Sequence, residues 1–150
     1  MTQPVEQRLA GRGRRMVATL IDMLLVPALT VLLIMITGVM EDAEDYRNAM
    51  WLLYTFLLAV LSYLVLNGYW LYTRGQTIGK RLMKIAIVAT STGERAPFWK
   101  LVGIRALFFP FLFAVLSPVG LVPVIDQLFV FRKNRRCVHD LAAGTSVVNA

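Results

Sequence analysis

Three charged residues stand where a chain this apolar should carry none. Asp22 lies inside the long apolar run 16–40, Asp126 inside the last apolar run, and Arg105 near the start of the third. An aspartate near the middle of a bilayer-crossing helix costs about 2.5–3.5 kcal/mol on insertion scales, so it faces a partner or a wet cavity. Arg15, two helical turns before Asp22 on the same face with Thr19 between them, is the candidate partner. A snorkelling Arg105 or Arg132 would serve Asp126 in the same way. The chemistry open to such carboxylates is alternate binding of a proton and a monovalent cation. If Asp22 and Asp126 approached each other, two carboxylates sharing one proton would form a minimal exchange site. The opposing reading is a static ion pair that locks one helix against its neighbours. Spacing alone leaves both open.

The elements that must carry these residues are membrane helices. Hydrophobic residues make up 57% of the 150 and the mean hydropathy is +0.62, too apolar for an ordinary soluble domain. Segments 16–40 and 49–72 are each long enough to cross about 30 Å of hydrocarbon. The first contains Asp22 and lacks a nearby small-residue cleavage site, which makes it an uncleaved anchor rather than a signal peptide. The second carries no charge, has aromatic residues toward both ends, and offers Asn67 as a polar group able to bond a neighbouring helix. Ser117, Pro118 and Gly120 divide the third region into 99–116 and 119–131, either two short spans or a re-entrant hairpin. The predicted fold is an all-α membrane protein, one domain over 1–150. It has about four membrane-embedded helices: two long spans plus a shorter helical pair.

Charge sets the orientation. The net charge is +7, with Arg12, Arg14 and Arg15 before the first run, Arg74 to Lys100 in the middle connection, and Arg132 to Arg136 near the end. The short connection at 41–45 is acidic. The positive-inside rule then puts both termini and the middle loop in the cytoplasm. These basic clusters also suit anionic lipid heads; no nucleic-acid-binding motif accompanies them. Within the middle loop, the β-branched stretch 81–90 and the turn at 91–93 predict a small cytoplasmic β-hairpin, with 145–148 as a further short strand pairing with it.

Other chemistry is thin. Cys137 is the single cysteine, which excludes an intrachain disulfide and reads as a reduced thiol. Residues 75–80 lack the spacing of a phosphate loop and read as a tight turn leading into a basic stretch on the lipid surface. His139–Asp140 predicts a capped turn with Gly144–Thr145, Asp140 holding one of the loop arginines. It is no metal or hydrolytic set. No enzyme, cofactor or metal is expected.

Arg15-Met-Val-Ala-Thr-Leu-Ile-Asp22 resembles the signature of the RDD family of small membrane proteins. There an arginine opens the first membrane helix and an aspartate follows in its interior; Arg14 is the neighbouring alternative for the arginine. Gln76-Thr-Ile-Gly79-Lys80-Arg-Leu82 resembles the family's loop after the second span, and Asp126 with His139-Asp140-Leu-Ala-Ala-Gly144-Thr145 resembles its C-terminal end. The second family aspartate is placed at Asp126 ahead of Asp140. The resemblance implies a transport domain, since some members resemble cation/proton antiporters in activity. The expectation is a multi-pass protein of the bacterial inner membrane, exchanging monovalent cations for protons. Asp22 and Asp126 would be the ion sites, and Arg15 and Arg105 their charge partners. Four short segments enclose no path alone, so a homo-oligomer is expected. The alternative is a non-transporting membrane adaptor or scaffold whose buried Arg/Asp pairs are structural.

Overall fold

The structure is a computed structural model that describes residues 9–39, 49–108, 126, 128–131, 133 and 136–150, with backbone alone at 49, 105, 106 and 130. Two long helices dominate it: α1, Arg12–Thr37, and α2, Ala49–Arg74. They match the first two predicted spans within a few residues. Only 6% and 11% of their most apolar windows are buried. Leu24, Met35, Ile36 and Val65 are among many large apolar side chains left bare, a surface suited to lipid and unsuited to water. Some hydroxyls within these helices bond locally: Thr30 donates to the Val26 carbonyl and Ser62 to that of Leu58, each at 2.8 Å.

The hydrophobic core sits at one end of the helix pair. Ala10, Ala18, Leu71, Ile85, Ile87, Ala96, Leu101 and Val147 pack there, flanked by Tyr63 and Met83. Around it lie a short helix α3, Ile78–Leu82, strand β1, Ile85–Ala89, a π-helix, Lys100–Phe108, a helix α4, Val138–Ala143, and strand β2, Thr145–Asn149. These form a cap on the helix ends. β1 and β2 run antiparallel, Ile85 opposite Asn149 and Ala89 opposite Thr145. The chain ahead of α1 joins the same ribbon: Leu9 bridges Val148, and Ala10 N donates to the Val147 carbonyl at 3.0 Å. The first and last described residues therefore meet at the capped end.

The β-hairpin expectation needs correction. The turn at 91–93 does fold the chain back, but only as far as a single Val88–Arg95 bridge. The main partner of β1 is the C-terminal strand, the further strand expected at 145–148 to pair with it. Pro97 follows Arg95 closely and breaks any longer return strand, whereas β2 offers an unbroken, almost wholly buried Thr-Ser-Val-Val run. Of the two short membrane segments, 99–116 survives as the π-helix at its start, and 119–131 as helical Asp126 and Leu128 with a 3₁₀ turn at Phe129–Phe131. The rest of both lies outside the described residues, and with it the four-helix count.

Candidate functional site

The carboxylate inside α1 is met by the start of α3. Oδ2 of Asp22 accepts the Thr77 hydroxyl at 2.5 Å, Oδ1 accepts the Gly79 N–H at 2.9 Å, and Lys80 Nζ lies 3.8 Å from Oδ2. The first amides of a helix lack intrahelical acceptors, and here each finds one. Asn67 of α2 accepts from Ile78 N at 2.8 Å, Asp22 takes Gly79 N, and the N-cap Thr77 accepts from Lys80 N at 3.3 Å. One short helix end thus ties both long helices together. Asn67 makes the cross-helix bond expected of it.

Gly79 permits this approach. A Cβ there would lie 2.1 Å from the Ala18 carbonyl oxygen and 3.0 Å from Asp22 Cγ, so only glycine lets α3 touch α1. The segment 75–80, expected as a tight turn leading into a basic stretch on the lipid surface, is packed against α1 at Gly79. The exposed Arg81 that follows it covers the Trp70 ring at 3.5 Å.

Arg15 does not pair with Asp22, contrary to expectation. Two helical turns separate them by about 10.5 Å along the axis, and side chains in a helix lean toward its N-terminus. Arg15 therefore reaches into the cap, where Nη2 donates to Asp140 Oδ2 and lies 3.9 Å from Cys137 Sγ. The arginine is 7% exposed and Asp140 is fully buried, which makes this a desolvated pair of opposite charges. Asp140 is also built into its own helix end. Its Oδ2 accepts from Cys137 N at 3.2 Å, the capping arrangement in which the third helical residue reaches back, while Thr145 Oγ1 lies 3.4 Å from Oδ1. Gly144 closes α4 in the left-handed region at φ 65 and turns the chain into β2. The capped turn before a strand is as expected. Asp140 does hold an arginine, though the one from α1; the loop's Arg136 bonds instead to the Thr145 and Asp140 carbonyls, at 2.9 and 3.3 Å.

Asp126 is 4% exposed and faces His139, whose backbone N–H donates to Oδ1 at 3.2 Å and whose Nδ1 lies 2.5 Å from Oδ2. His139 Nε2 stands 3.5 Å from Asp140 Oδ1. A buried row of charged and titratable groups therefore runs Arg15, Asp140, His139, Asp126. Asp22 lies outside it: among the described residues, Asp22 and Asp126 share no hydrogen-bond partner. The side chains of Arg105 and Arg132, the expected partners of Asp126, lie outside the described residues.

Sequence reasoning missed the donors Thr77 and Gly79 and the assembly around His139. Thr77 followed by two more residues and a lysine reads as an N-cap, yet nothing local says that the capped helix will meet Asp22. Cys137 reads in sequence as a plain reduced thiol and His139 as part of a capped turn; Asp126 joins them only in space. One ligand atom from each of Asp126, Cys137 and His139 lies within 4.8 Å of the other two.

Compared with known proteins, residues 9–144 match the model of the RDD family. No curated protein and no solved structure matches the chain.

Proposed function

The chain belongs to the RDD family, its match covering nearly the whole length, and from that premise we propose that it is a membrane-embedded scaffold whose buried charges hold the spanning helices to a cytoplasmic cap. The carrying observation is the surroundings of Asp22. A carboxylate already receiving a hydroxyl, a backbone amide and a nearby ammonium has little left to offer a passing cation. Arg15 is likewise committed to Asp140. In this reading the exposed cations at the capped end, among them Arg12 and Arg14 at the start of α1 and Arg81 and Lys84 of the cap, rest against anionic lipid heads.

A second reading, monovalent cation/proton exchange, draws its support from the Asp126–His139 pair, a buried carboxylate hydrogen-bonded to an imidazole. It moves the exchanging group from Asp22 to Asp126 and takes a homo-oligomer to complete the path. One experiment separates the two. Proteoliposomes carrying a pH-sensitive dye are pulsed with Na⁺ or K⁺ across a range of pH. The scaffold reading expects silence, with Asp22→Asn lowering thermal stability. Cation-driven proton movement abolished by Asp126→Asn establishes exchange and ends the scaffold reading.

For location we propose the bacterial inner membrane with both termini cytoplasmic. The meeting of Leu9 with Val148 at the capped end supports an even number of crossings between them, and the arginines near both termini support the inside face. A reporter fused after Ala150 should read as cytoplasmic. A periplasmic signal overturns the orientation.

A further inference from the structure

We propose that Asp126, Cys137 and His139 form a binding site for one divalent transition metal of the zinc class, independent of whether the protein transports anything. The donor set is one sulfur, one imidazole nitrogen and one carboxylate oxygen, the combination that Zn²⁺ and Co²⁺ accept and that Mg²⁺ or Ca²⁺ disfavour for its soft sulfur. The three ligand atoms lie within 4.8 Å of one another. Around a tetrahedral ion with bonds of about 2.0–2.3 Å, ligand atoms sit roughly 3.3–3.8 Å apart. The site needs adjustments of about 1 Å: the 2.5 Å contact between His139 and Asp126 opens to admit the ion, and the wider separations close.

The surroundings suit the ion. Asp126 and Cys137 are 4% and 3% exposed, so water competes weakly. Arg15 Nη2 donates toward Cys137 Sγ at 3.9 Å, a contact that suits a thiolate, the form that ligates metal. The guanidinium charge is balanced by Asp140, which also stands beside His139 and acts as the outer carboxylate that commonly steadies a metal-bound imidazole. Binding converts the Cys137 thiol to thiolate and releases its proton to solvent. Asp140 is committed to Arg15, Cys137 N and Thr145, so three protein ligands leave the fourth position for water. The ion would staple Asp126 to the cap, replacing a hydrogen bond with coordinate bonds.

Cobalt tests this directly on the full-length protein in detergent, stripped with chelator and kept reduced with a phosphine. Titration of the wild type with Co²⁺ should raise a thiolate-to-cobalt band in the near ultraviolet and tetrahedral d–d bands in the visible. Both should saturate at one ion per chain and be bleached by Zn²⁺. Cys137→Ser should lose the near-ultraviolet band while keeping its far-ultraviolet dichroism. Asp126→Asn and His139→Gln should each weaken cobalt binding by about tenfold or more. Absence of the thiolate band in folded wild-type protein at excess cobalt overturns the site. So does affinity left unchanged in both Asp126→Asn and His139→Gln, which would reduce it to a lone thiol.

Discussion

Gly79→Ala is expected to separate α3 from α1 and to destabilise the protein by about 2.5–6 kcal/mol, read as a loss of midpoint in denaturant or thermal unfolding in micelles. The added Cβ would stand 2.1 Å from a backbone carbonyl oxygen, that of Ala18. No rotamer change relieves such a clash, because the obstructing atom belongs to the middle of a helical turn. The helix α3 must retreat, and its retreat breaks the Gly79–Asp22 hydrogen bond and lengthens the one from Thr77. Overpacking contributes about 1–3 kcal/mol. The loss of hydrogen bonds to a charged carboxylate adds about 1.5–3 kcal/mol. Gly68→Ala is the control: a Cβ there meets nothing within 4 Å, and alanine is the better helix former by about 1 kcal/mol. Equal stability of Gly79→Ala and wild type would mean that α3 does not lie against α1 as described.

The legibility of the fold differs between its two halves for a physical reason. A helix in lipid satisfies its own backbone and presents an apolar surface all round, so α1 and α2 are written in any window of the sequence long enough to cross a bilayer. The cap is held by pairings distant in sequence. Arg15 with Asp140 and Asp22 with Thr77 and Gly79 are invisible to local pattern, whereas the strand character of β1 and β2 was legible from their β-branched runs. Seven-residue spacing suggested Arg15–Asp22 because helix-face arguments track angle and ignore rise; the axial distance decided otherwise. The motif residues Gly79, Lys80, Asp140, Gly144 and Thr145 were legible as a set, and the structure gives each of them a place. Gly79 permits contact, Lys80 adds charge beside Asp22, Asp140 receives Arg15, Gly144 turns the chain and Thr145 begins the buried strand. Every one of them lies in the cap.

The fastening is tested most sharply at Arg15 and Asp140. Either Arg15→Ala or Asp140→Ala should destabilise the protein by about 3–5 kcal/mol, the range for stranding one partner of a buried ion pair. The burial of both residues removes the solvent screening that makes surface pairs weak. Arg15→Ala leaves the Asp140 carboxylate fully buried with the Cys137 amide and the Thr145 hydroxyl as its neutral donors. Asp140→Ala strands the guanidinium and also removes the cap of α4, which is worth about 1 kcal/mol by itself. The aspartate substitution should therefore be the more severe. Pairing Arg15→Met with Asp140→Leu removes both charges and fills the space with apolar volume, so the double variant should lose clearly less than the two alanine losses added together. What remains in it is the missing cap, and Asp140→Asn in an Arg15→Met background should recover part of that by keeping an acceptor for Cys137 N. Single losses below about 1 kcal/mol that simply add would place the pair among exposed ion contacts. The helices would then be joined to the cap chiefly through Asp22, Asn67 and the apolar packing of Ala18 and Leu71.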